Sequence, residues 1–349
     1  MFKLPDIIVD IGVNYYDIAE EQGITPFDAA LLMIEQAQKA GADAVKFQTY
    51  KAEKLAAVDS PAYWDLNEEP TSSQRELFAK YDSFDQQHYK KLASYCSDLK
   101  IEFMTTAFDT DSVAIVNPLV SRHKIASADI TNIELLEAVG ASKKPVLLST
   151  GASNITEINQ AVSILQKAGA SGITLLHCVL NYPTAIEQAK LWKIKALRSK
   201  YPALKVGYSD HTRYCPEILT TAWILGAVVI EKHFTLNRSL KGNDHYHAAE
   251  PSDIAALLSI FNRISAGIGR EETNWHGPAE DKARRYARRG VYLVKDIIAG
   301  NPIKGEDVAF LRPQAEGITP VEWASFLKAG KRYGCDLKAG TLVTDSVII

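Results

Sequence analysis

Two histidines follow or end two apolar stretches in the second half of the chain. LKVGYSD (204–210) is followed at once by His211, and VVIEKHF (228–234) contains His233. If both stretches are parallel strands, their carboxyl ends lie on the same side of a sheet, where α/β proteins place their chemistry. Two imidazoles there could bind a divalent metal, with water and substrate oxygens completing the shell. Asp210 and Glu231 could orient the imidazoles from behind. The alternative is that each histidine is only hydrogen-bonded.

Two lysines lie inside stretches that have strand character. Lys46 is in AVKFQT (44–49) and Lys124 is in HKIAS (123–127). A buried lysine is costly unless it is paired, so one explanation is a salt bridge to Glu231 or Asp210. The other is a pair of cations that bind an anion such as a phosphate or a carboxylate. Hydroxyl groups that could donate to the same anion belong to Thr106, Ser127, Ser149 and Ser209.

Asp129 and two later histidines each have two explanations. Asp129 follows Ser127 by two residues and could act as an acid or base. It could equally cap the helix predicted for ITNIELLEAVG (130–140), since Asp is common at that position. His245 and His247 fall in KGNDHYH (241–247), which is predicted to be a surface loop, and for His247 we expect an exposed loop residue.

Eight strand-like stretches alternate with helical ones over about the first 270 residues. In chain order they are 7–13, 44–49, 102–107, 123–127, 145–150, 173–178, 204–210 and 228–234. Between them, 26–42 and 157–170 have apolar residues at three- and four-residue spacing, and Asn154 or Thr156 could cap the second. Eight such units suit a (β/α)₈ TIM barrel, for which roughly 250 residues is typical. A doubly wound sheet is the competing architecture.

The predicted strands end in polar residues. In a barrel these ends meet at one mouth, so we expect a functional site there. The residues are Asn14, Lys46, Gln48, Thr105, Thr106, Lys124, Ser127, Asp129, Ser149, Thr150, His177, Ser209, His211, Glu231 and His233. The long connection 51–84 could cover that mouth or could be a helical excursion without a role in the site.

Composition excludes several classes of protein. The net charge of −3 gives no reason to expect nucleic acid or a membrane surface as a partner. No apolar run approaches the roughly 20 residues that span a bilayer, and no signal peptide or nucleotide-binding glycine motif is evident. Four scattered cysteines favour reduced thiols in a cytoplasmic protein. After a barrel over 1–270, we expect a charged linker over 271–288 and a small β-rich domain over 289–349.

Seven ordered motifs resemble the sialic acid synthase family across nearly the whole chain. They are KFQTY, TTAFD, KIASADITN, LLSTGAS, LLHCVLNYPT, GYSDHT and EKHFTLNRSLKGND. The tail is similar to that family's antifreeze-like (SAF) domain. The resemblance implies a condensation of phosphoenolpyruvate with an N-acetylated hexosamine to a nonulosonic acid, with Mn²⁺ or Mg²⁺ as cofactor. It also implies a domain-swapped homodimer.

The resemblance assigns roles to individual residues. It implies that His211 and His233 bind the metal and that Asp129 is the catalytic carboxylate. Phosphoenolpyruvate contacts are implied for Lys46, Thr106, Lys124, Ser127, Ser149 and Ser209, with both lysines also catalytic. Sugar contacts are implied for Gln48, Asn67, Tyr182, Asp244 and Arg289, the last reaching the site of a partner subunit.

Four positions depart from the family pattern. Asp10 stands where Glu is common, Tyr15 where His is common, Leu180 where some members have a polar residue, and Gly290 where Ser follows two arginines. The identity of the sugar therefore stays open among neuraminic, legionaminic, pseudaminic and related precursors. Another 3-deoxy-ulosonate synthase that uses a phosphorylated aldose is an alternative, although no extra arginine cluster accompanies the mouth motifs. A non-catalytic carbohydrate-binding relative is the second alternative.

Overall fold

The computed structural model describes residues 3–242, 244–269 and 275–349. The chain divides into two compact units, residues 1–269 and 270–349. Of the predicted linker 271–288, residues 271–274 lie outside the described part. From Pro278 to Glu280 the linker forms a 3₁₀ turn, followed directly by a helix, Asp281–Ala287.

The first unit is a closed barrel of eight parallel strands in sequential order, so the predicted (β/α)₈ barrel is confirmed. The strands are β1 Asp6–Gly12, β2 Ala44–Thr49, β3 Glu102–Ala107, β4 His123–Ile125, β5 Pro145–Ser149, β6 Gly172–His177, β7 Lys205–Asp210 and β8 Val229–His233. The barrel closes where β1 pairs with β8, with Asp10 opposite His233.

Eleven helices of the described chain belong to the barrel unit. They are α1 Tyr15–Gln22, α2 Pro26–Ala40, α3 Ala52–Leu55, α4 Gln74–Lys80, α5 Gln86–Asp98, α6 Thr110–Val116, α7 Ile133–Ala141, α8 Ile155–Ala168, α9 Trp192–Lys200, α10 Pro216–Ile224 and α11 Pro251–Ile268. Asn154 caps α8 in a capping box with Glu157, as one of the two predicted alternatives had it. None of the described helices has the length and apolar character needed to cross a membrane.

Strand alternation separates the barrel interior from the layer between strands and helices. Outward residues such as Val9, Val45 and Ile230 pack in the main apolar core with the helices. Inward residues at the amino ends form a small apolar cluster of Ile8, Ala44, Met104, Leu147, Leu176 and Val229. Two residues further along the same strands come Asp10, Lys46, Thr106, Ser149, Cys178 and Glu231. The period of two thus places an apolar layer below a mostly polar one.

Gly207 is required where β7 passes this apolar layer. A Cβ atom there would lie 2.5 Å from Leu176 Cδ2 and 2.7 Å from the Val229 carbonyl oxygen. The Val229 carbonyl belongs to the backbone of β8 and cannot move away without disturbing the barrel. Gly207→Ala is therefore expected to lower the free energy of unfolding by about 1–3 kcal/mol, the usual cost of overpacking. Gly172→Ala is the matched strand control, since no atom lies within 4 Å of its Cβ position. Equal stability of both variants in denaturant titrations would contradict this account.

The connection 51–84 contains α3 and α4 and places several side chains over the barrel mouth. Leu55, Tyr63, Gln74, Leu77 and Phe78 all line the cavity described below. Trp64 is buried, and its indole N–H donates to the carbonyls of Glu69 and Thr71 at 3.1 and 3.2 Å. The connection therefore forms one wall of the site and is not a helical excursion without a role in it.

The second unit has its own small core. It contains α12 Asp281–Ala287, the antiparallel pair β9 Gly290–Leu293 and β10 Val308–Leu311, and α13 Pro320–Lys328. Trp323 and Tyr333 are fully buried among Val291, Leu293 and Val343. Isolated β-bridges, such as Ile297 with Leu337, connect its turns.

Candidate active site

A cavity of about 380 Å³ lies at the carboxyl ends of the barrel strands. This volume is within the roughly 300–1,000 Å³ typical of small-molecule sites. Its polar wall includes Asp10, Gln48, Thr106, Lys124, Ser127, Asp129, Ser149, Tyr182, Ser209, His211, Glu231, His233 and Asp244. Most of the residues singled out from the sequence therefore meet in one place.

Lys46 is buried and paired with Asp10. Its Nζ lies 2.6 Å from Asp10 Oδ2 and donates to Thr106 Oγ1 at 3.2 Å. Burial lowers the pKa of Lys46, but the carboxylates of Asp10 and Glu231 outweigh it and hold this pKa above its ordinary value. The ammonium therefore stays charged inside the barrel. The salt-bridge partner differs from the two proposed from the sequence, because Asp10 is the inward residue of the neighbouring strand.

Lys124 forms the second buried cation. Its Nζ lies 3.5 Å from Glu231 Oε1, which also accepts from the Ser209 hydroxyl at 2.9 Å. A separation of 3.5 Å is longer than a good charged hydrogen bond, so donor capacity of the ammonium remains for a ligand. Within the described residues, Ser149 Oγ and Glu231 Oε2 are buried without a hydrogen-bond partner. Polar atoms in that condition are typical of a site built for a ligand or water.

His211 is held by a backbone carbonyl. Its Nδ1 lies 2.7 Å from the Val179 carbonyl oxygen, so this nitrogen donates and Nε2 is left with its lone pair. Burial lowers the pKa of His211 to about 4, so the ring is neutral near pH 7. The predicted orienting role of Asp210 is wrong, because its oxygens accept from Lys232 Nζ at 2.5 Å and from Tyr208.

Glu231 likewise does not orient an imidazole among the described contacts. Its recorded partners are Ser209 and Lys124, which face it from β7 and β4. The reason is the barrel geometry: Glu231 is one layer below His233 on β8, level with the lysines. Its role in the site is therefore to hold the lysine and serine side chains.

His233 lies beside Asp244 and His247. One ligand atom from each of these three buried residues lies within 4.8 Å of the others. The His233 and His247 ring centroids are 4.9 Å apart, and His211 and His233 are 5.6 Å apart. The expectation that His247 is an exposed loop residue is wrong, since it is fully buried. The loop after β8 folds back over the mouth and carries it inward.

His245 anchors that loop. Its Nδ1 lies 2.7 Å from Thr235 Oγ1, and its Nε2 lies 3.1 Å from Asp17 Oδ2. The side chain is buried, so the exposed-loop interpretation is wrong here too. These contacts fix the turn that presents Asp244 to the cavity and places His247 against His233.

Asp129 faces the cavity from a 3₁₀ turn, Ser127–Asp129. The helix-capping alternative is wrong, because Asn132 caps α7 by accepting from the Leu135 N–H at 3.2 Å. Among the described residues, Asp129 Oδ2 has no hydrogen-bond partner. Burial raises the pKa of Asp129 to about 6, although the charge of Lys124 opposes the shift.

The residues predicted to contact the sugar separate into two groups. Gln48, Tyr182 and Asp244 line the cavity, and the Tyr182 ring packs 4.3 Å from the His211 ring. Asn67 is exposed, and its side-chain amide donates to Asp65 at 2.9 Å. Arg289 belongs to the second unit, where it is exposed and donates to the Phe310 carbonyl at 3.4 Å. Its role stays a prediction.

Four polar strand-end residues serve the scaffold instead of the cavity. The recorded contacts are Asn14 to the Phe234 carbonyl, Thr105 to Thr49, Thr150 to the Leu176 carbonyl, and His177 to the Ala189 carbonyl. None of the four is among the lining residues that the structure describes. For Thr105 and His177 the reason is alternation, since their strand neighbours Thr106 and Leu176 face inward.

The positions that depart from the family pattern have distinct surroundings. Asp10 pairs with Lys46, and Leu180 lines the cavity. Tyr15 is buried against Phe47 and Phe84, with ring centroids 5.8 and 4.7 Å away. Gly290 begins β9, where an added Cβ would lie 3.0 Å from Leu342. Only the first two therefore bear directly on the site.

Comparison with protein-family models matches residues 33–273 to the NeuB family and residues 288–348 to the SAF domain. The first match covers well over half of the chain. The chain belongs to the NeuB family. The predicted resemblance to sialic acid synthases with an SAF domain is thereby confirmed.

Characterised relatives of this NeuB family member synthesise nonulosonic acids. N,N'-diacetyllegionaminic acid synthase from Legionella pneumophila is 33% identical over 96% of this chain and 92% of its own length. Pseudaminic acid synthase from Helicobacter pylori is 29% identical over 98% and 97%. A crystal structure of N-acetylneuraminic acid (sialic acid) synthetase from Leptospira borgpetersenii, in complex with citrate, is 33% identical with a TM-score of 0.69. It covers 81% of this chain and 90% of that one. Condensation with phosphoenolpyruvate is the reaction type of the family.

The cavity also fits the divalent ion that the family resemblance implies. The Nδ1 atom of His233 is buried and, within the described chain, has no hydrogen-bond partner. His211 presents Nε2 while Val179 holds Nδ1, an arrangement that fixes the orientation of metal-binding imidazoles. Neutral imidazole is the form that binds a metal, and burial lowers the pKa of both rings.

Proposed function

We propose that this protein condenses phosphoenolpyruvate with an N-acetylated hexosamine, giving a nine-carbon 2-keto-3-deoxy acid and phosphate. The observation that carries the proposal is the pair of buried ammonium groups, Lys46 and Lys124, inside the barrel mouth. Two charged lysines with surrounding hydroxyls suit a small, multiply charged anion. Each ammonium is matched by one buried carboxylate, which keeps the site assembled before the anion binds.

Phosphoenolpyruvate, the anionic substrate, is proposed to bind in the inner part of the cavity. Lys124, Ser127, Ser149 and Ser209 all line it, and Lys46 reaches its wall through Thr106. Ser149 Oγ has no partner among the described residues and can donate to a phosphate or carboxylate oxygen. These contacts would hold phosphoenolpyruvate in one orientation, which is the positioning contribution to catalysis.

The part of the cavity that is proposed to bind the sugar has a polar side and an apolar side. Gln48, Tyr182 and Asp244 offer hydrogen bonds to hydroxyl groups, whereas Leu77 and Phe78 of α4 offer an apolar surface to an acyl group. The lining residues that the structure describes include no arginine. That composition favours an unphosphorylated sugar over the phosphorylated aldose of other 3-deoxy-ulosonate synthases, since a second phosphate is usually bound by arginine.

The proposed chemistry moves one proton between water and the sugar. C3 of phosphoenolpyruvate bonds to the aldehyde carbon, whose oxygen takes up a proton and becomes a hydroxyl. Water adds at C2, and its first proton passes to Asp129. The bond between C2 and the phosphate oxygen then breaks, the C2 hydroxyl gives its proton to the departing phosphate, and the keto acid results. A carboxyl with a pKa of about 6 is suited to exchange protons near neutral pH.

The divalent ion would be held by His211 and His233. When bound, it supplies Lewis-acid polarisation of the sugar carbonyl. The lysines, hydroxyls and Asp129 perform the binding and proton transfer described above.

We also propose a domain-swapped homodimer and a cytoplasmic location. The dimer is supported by the family resemblance and by Arg289, which is exposed in the second unit. Its guanidinium would then reach the sugar site of a second copy.

The test is release of phosphate from phosphoenolpyruvate by the full chain, with Mn²⁺ or Mg²⁺ and a panel of sugars. The panel contains N-acetylmannosamine, a 2,4-diacetamido-trideoxyhexose and a phosphorylated aldose. We expect release with at least one unphosphorylated sugar and a nine-carbon keto acid by mass spectrometry. Release with the phosphorylated aldose alone would favour the other synthase class, and none with any sugar would favour a carbohydrate-binding protein.

A further inference from the structure

His247 has no assigned role, yet it is among the most thoroughly buried polar residues of the barrel unit. It has no exposed surface, and within the described chain neither ring nitrogen has a hydrogen-bond partner. A buried imidazole with two unsatisfied nitrogens loses the hydrogen bonds that both would make in water. Such a residue persists where a ligand completes its contacts.

The surroundings of His247 indicate which ligand that is. Asp244 Oδ1 lies 3.7 Å from His247 Nε2, and Asp244 Oδ2 lies 3.8 Å from His233 Nδ1. These separations are too long for hydrogen bonds but suit donor atoms that share one ion, since ligand atoms about 2 Å from a metal lie about 3–4 Å apart. One donor atom of each residue falls within 4.8 Å of the others.

The rest of the loop keeps these donors in place. His245 follows Asp244 in the chain, and its ring nitrogens contact the Thr235 hydroxyl and the Asp17 carboxylate. The Tyr246 hydroxyl donates to the Tyr182 carbonyl at 3.0 Å, which fixes the residue before His247. The Tyr182 ring lies 5.6 Å from the His247 ring and closes the cluster on that side.

We propose that His247 and Asp244 are direct ligands of the ion together with His233, and that the site therefore selects first-row transition ions over Mg²⁺. The proposal rests on the proposed function only in sharing its cavity. Two imidazoles and a carboxylate form a nitrogen-rich donor set, and imidazole suits Zn²⁺, Fe²⁺ and Ni²⁺, whereas Mg²⁺ prefers oxygen. Open coordination positions remain for His211 and for substrate oxygens.

The experiment measures metal binding directly, without substrate. The full chain is stripped with chelator and dialysed, and Zn²⁺, Co²⁺ and Mg²⁺ are titrated by calorimetry, with the visible absorption of Co²⁺ as a second signal. For the unmodified chain, we expect Zn²⁺ and Co²⁺ to bind far more tightly than Mg²⁺. His247→Ala is expected to weaken Zn²⁺ and Co²⁺ by at least about 100-fold, beyond the 10–100-fold typical of losing a partner that only orients a ligand.

Controls separate ligand loss from misfolding. His247→Gln preserves a neutral polar side chain, and His88→Ala removes a partly exposed imidazole in the first turn of α5. We expect His247→Gln to weaken Co²⁺ binding and to change the visible absorption of bound Co²⁺. His88→Ala should leave both the affinity and the absorption unchanged. Thermal melts confirm that each variant is folded. A folded His247 variant with unchanged Zn²⁺ and Co²⁺ binding overturns the proposal while leaving the condensation reaction untouched. Conversely, tight Zn²⁺ binding without phosphate release would refute the function and not the metal site.

Discussion

Lys124→Met is expected to reduce kcat/KM for phosphoenolpyruvate by about 10²- to 10³-fold, the range for loss of one partner of a buried charged contact. The reason is that Lys124 Nζ lines the cavity and lies 3.5 Å from its carboxylate, so the ammonium has donors available for the substrate. The measurement is the steady-state rate of phosphate release over a range of phosphoenolpyruvate concentrations.

A double variant separates substrate binding from a purely structural ion pair. Lys124→Met alone leaves Glu231 buried without its cation, which typically costs about 3–5 kcal/mol of stability. Lys124→Met combined with Glu231→Gln removes both charges, so stability should largely return. Activity should not return if the lysine binds substrate. Recovery of both properties in the double variant would make the salt bridge the whole role of Lys124.

Asp129→Asn is expected to reduce turnover by about 10²- to 10⁴-fold, the usual contribution of a positioned acid or base. Ionised Asp129 accepts the proton from the attacking water, and its pKa is raised to about 6. Activity of the unmodified enzyme should therefore fall as the pH drops through about 6. In kcat/KM profiles the Asn variant should lack this limb and retain only the limb due to ionisation of the substrate. An unaltered profile would exclude Asp129 as the base.

The same carboxyl makes a second prediction about stability. Its pKa rises from 3.8 in the unfolded chain to about 6 when folded, mainly through burial. A raised carboxyl pKa lowers the free energy of unfolding. This loss is absent below about pH 3.8, is complete above about pH 6, and amounts to roughly 3 kcal/mol at most. Asp129→Asn should therefore be the more stable protein at pH 8, and the difference should vanish near pH 3. Glu134→Gln removes an exposed carboxyl on α7 and should change little at either pH.

Much of the barrel could be predicted from the sequence because its signals are local. Short apolar stretches separated by helices with clear caps determine eight units, and the observed strands agree within a few residues. The polar residues that follow the apolar layer, such as Lys46 and Lys124, stand out in the sequence because lysine is rare inside strands. Their position at the carboxyl ends of the strands, near the mouth of the barrel, follows from strand direction.

Which of two neighbouring strand residues faces the barrel interior could be decided only from the register of the strands. Thr105 and Thr106 are equally polar neighbours, but only Thr106 faces the interior, because side chains on a strand point to opposite faces. The same one-residue distinction turns His177 outward to the Ala189 carbonyl. A list of strand-end residues contains both kinds, and the pairing between strands decides between them.

Contacts between distant segments were decided by the tertiary structure. Asp10 and Lys46 are 36 residues apart, and Asp10 drew attention in the sequence only as a departure from a pattern. His247 was expected at the surface, because a short polar loop gives no local sign of folding inward. Its burial depends on His245 reaching Asp17, 228 residues earlier in the chain. The sequence by itself determined the barrel, its family and the chemistry of its strand ends. Only the closed barrel and the returning loop decided which charges pair and that a third histidine is buried beside His233 and Asp244, because both depend on long-range packing.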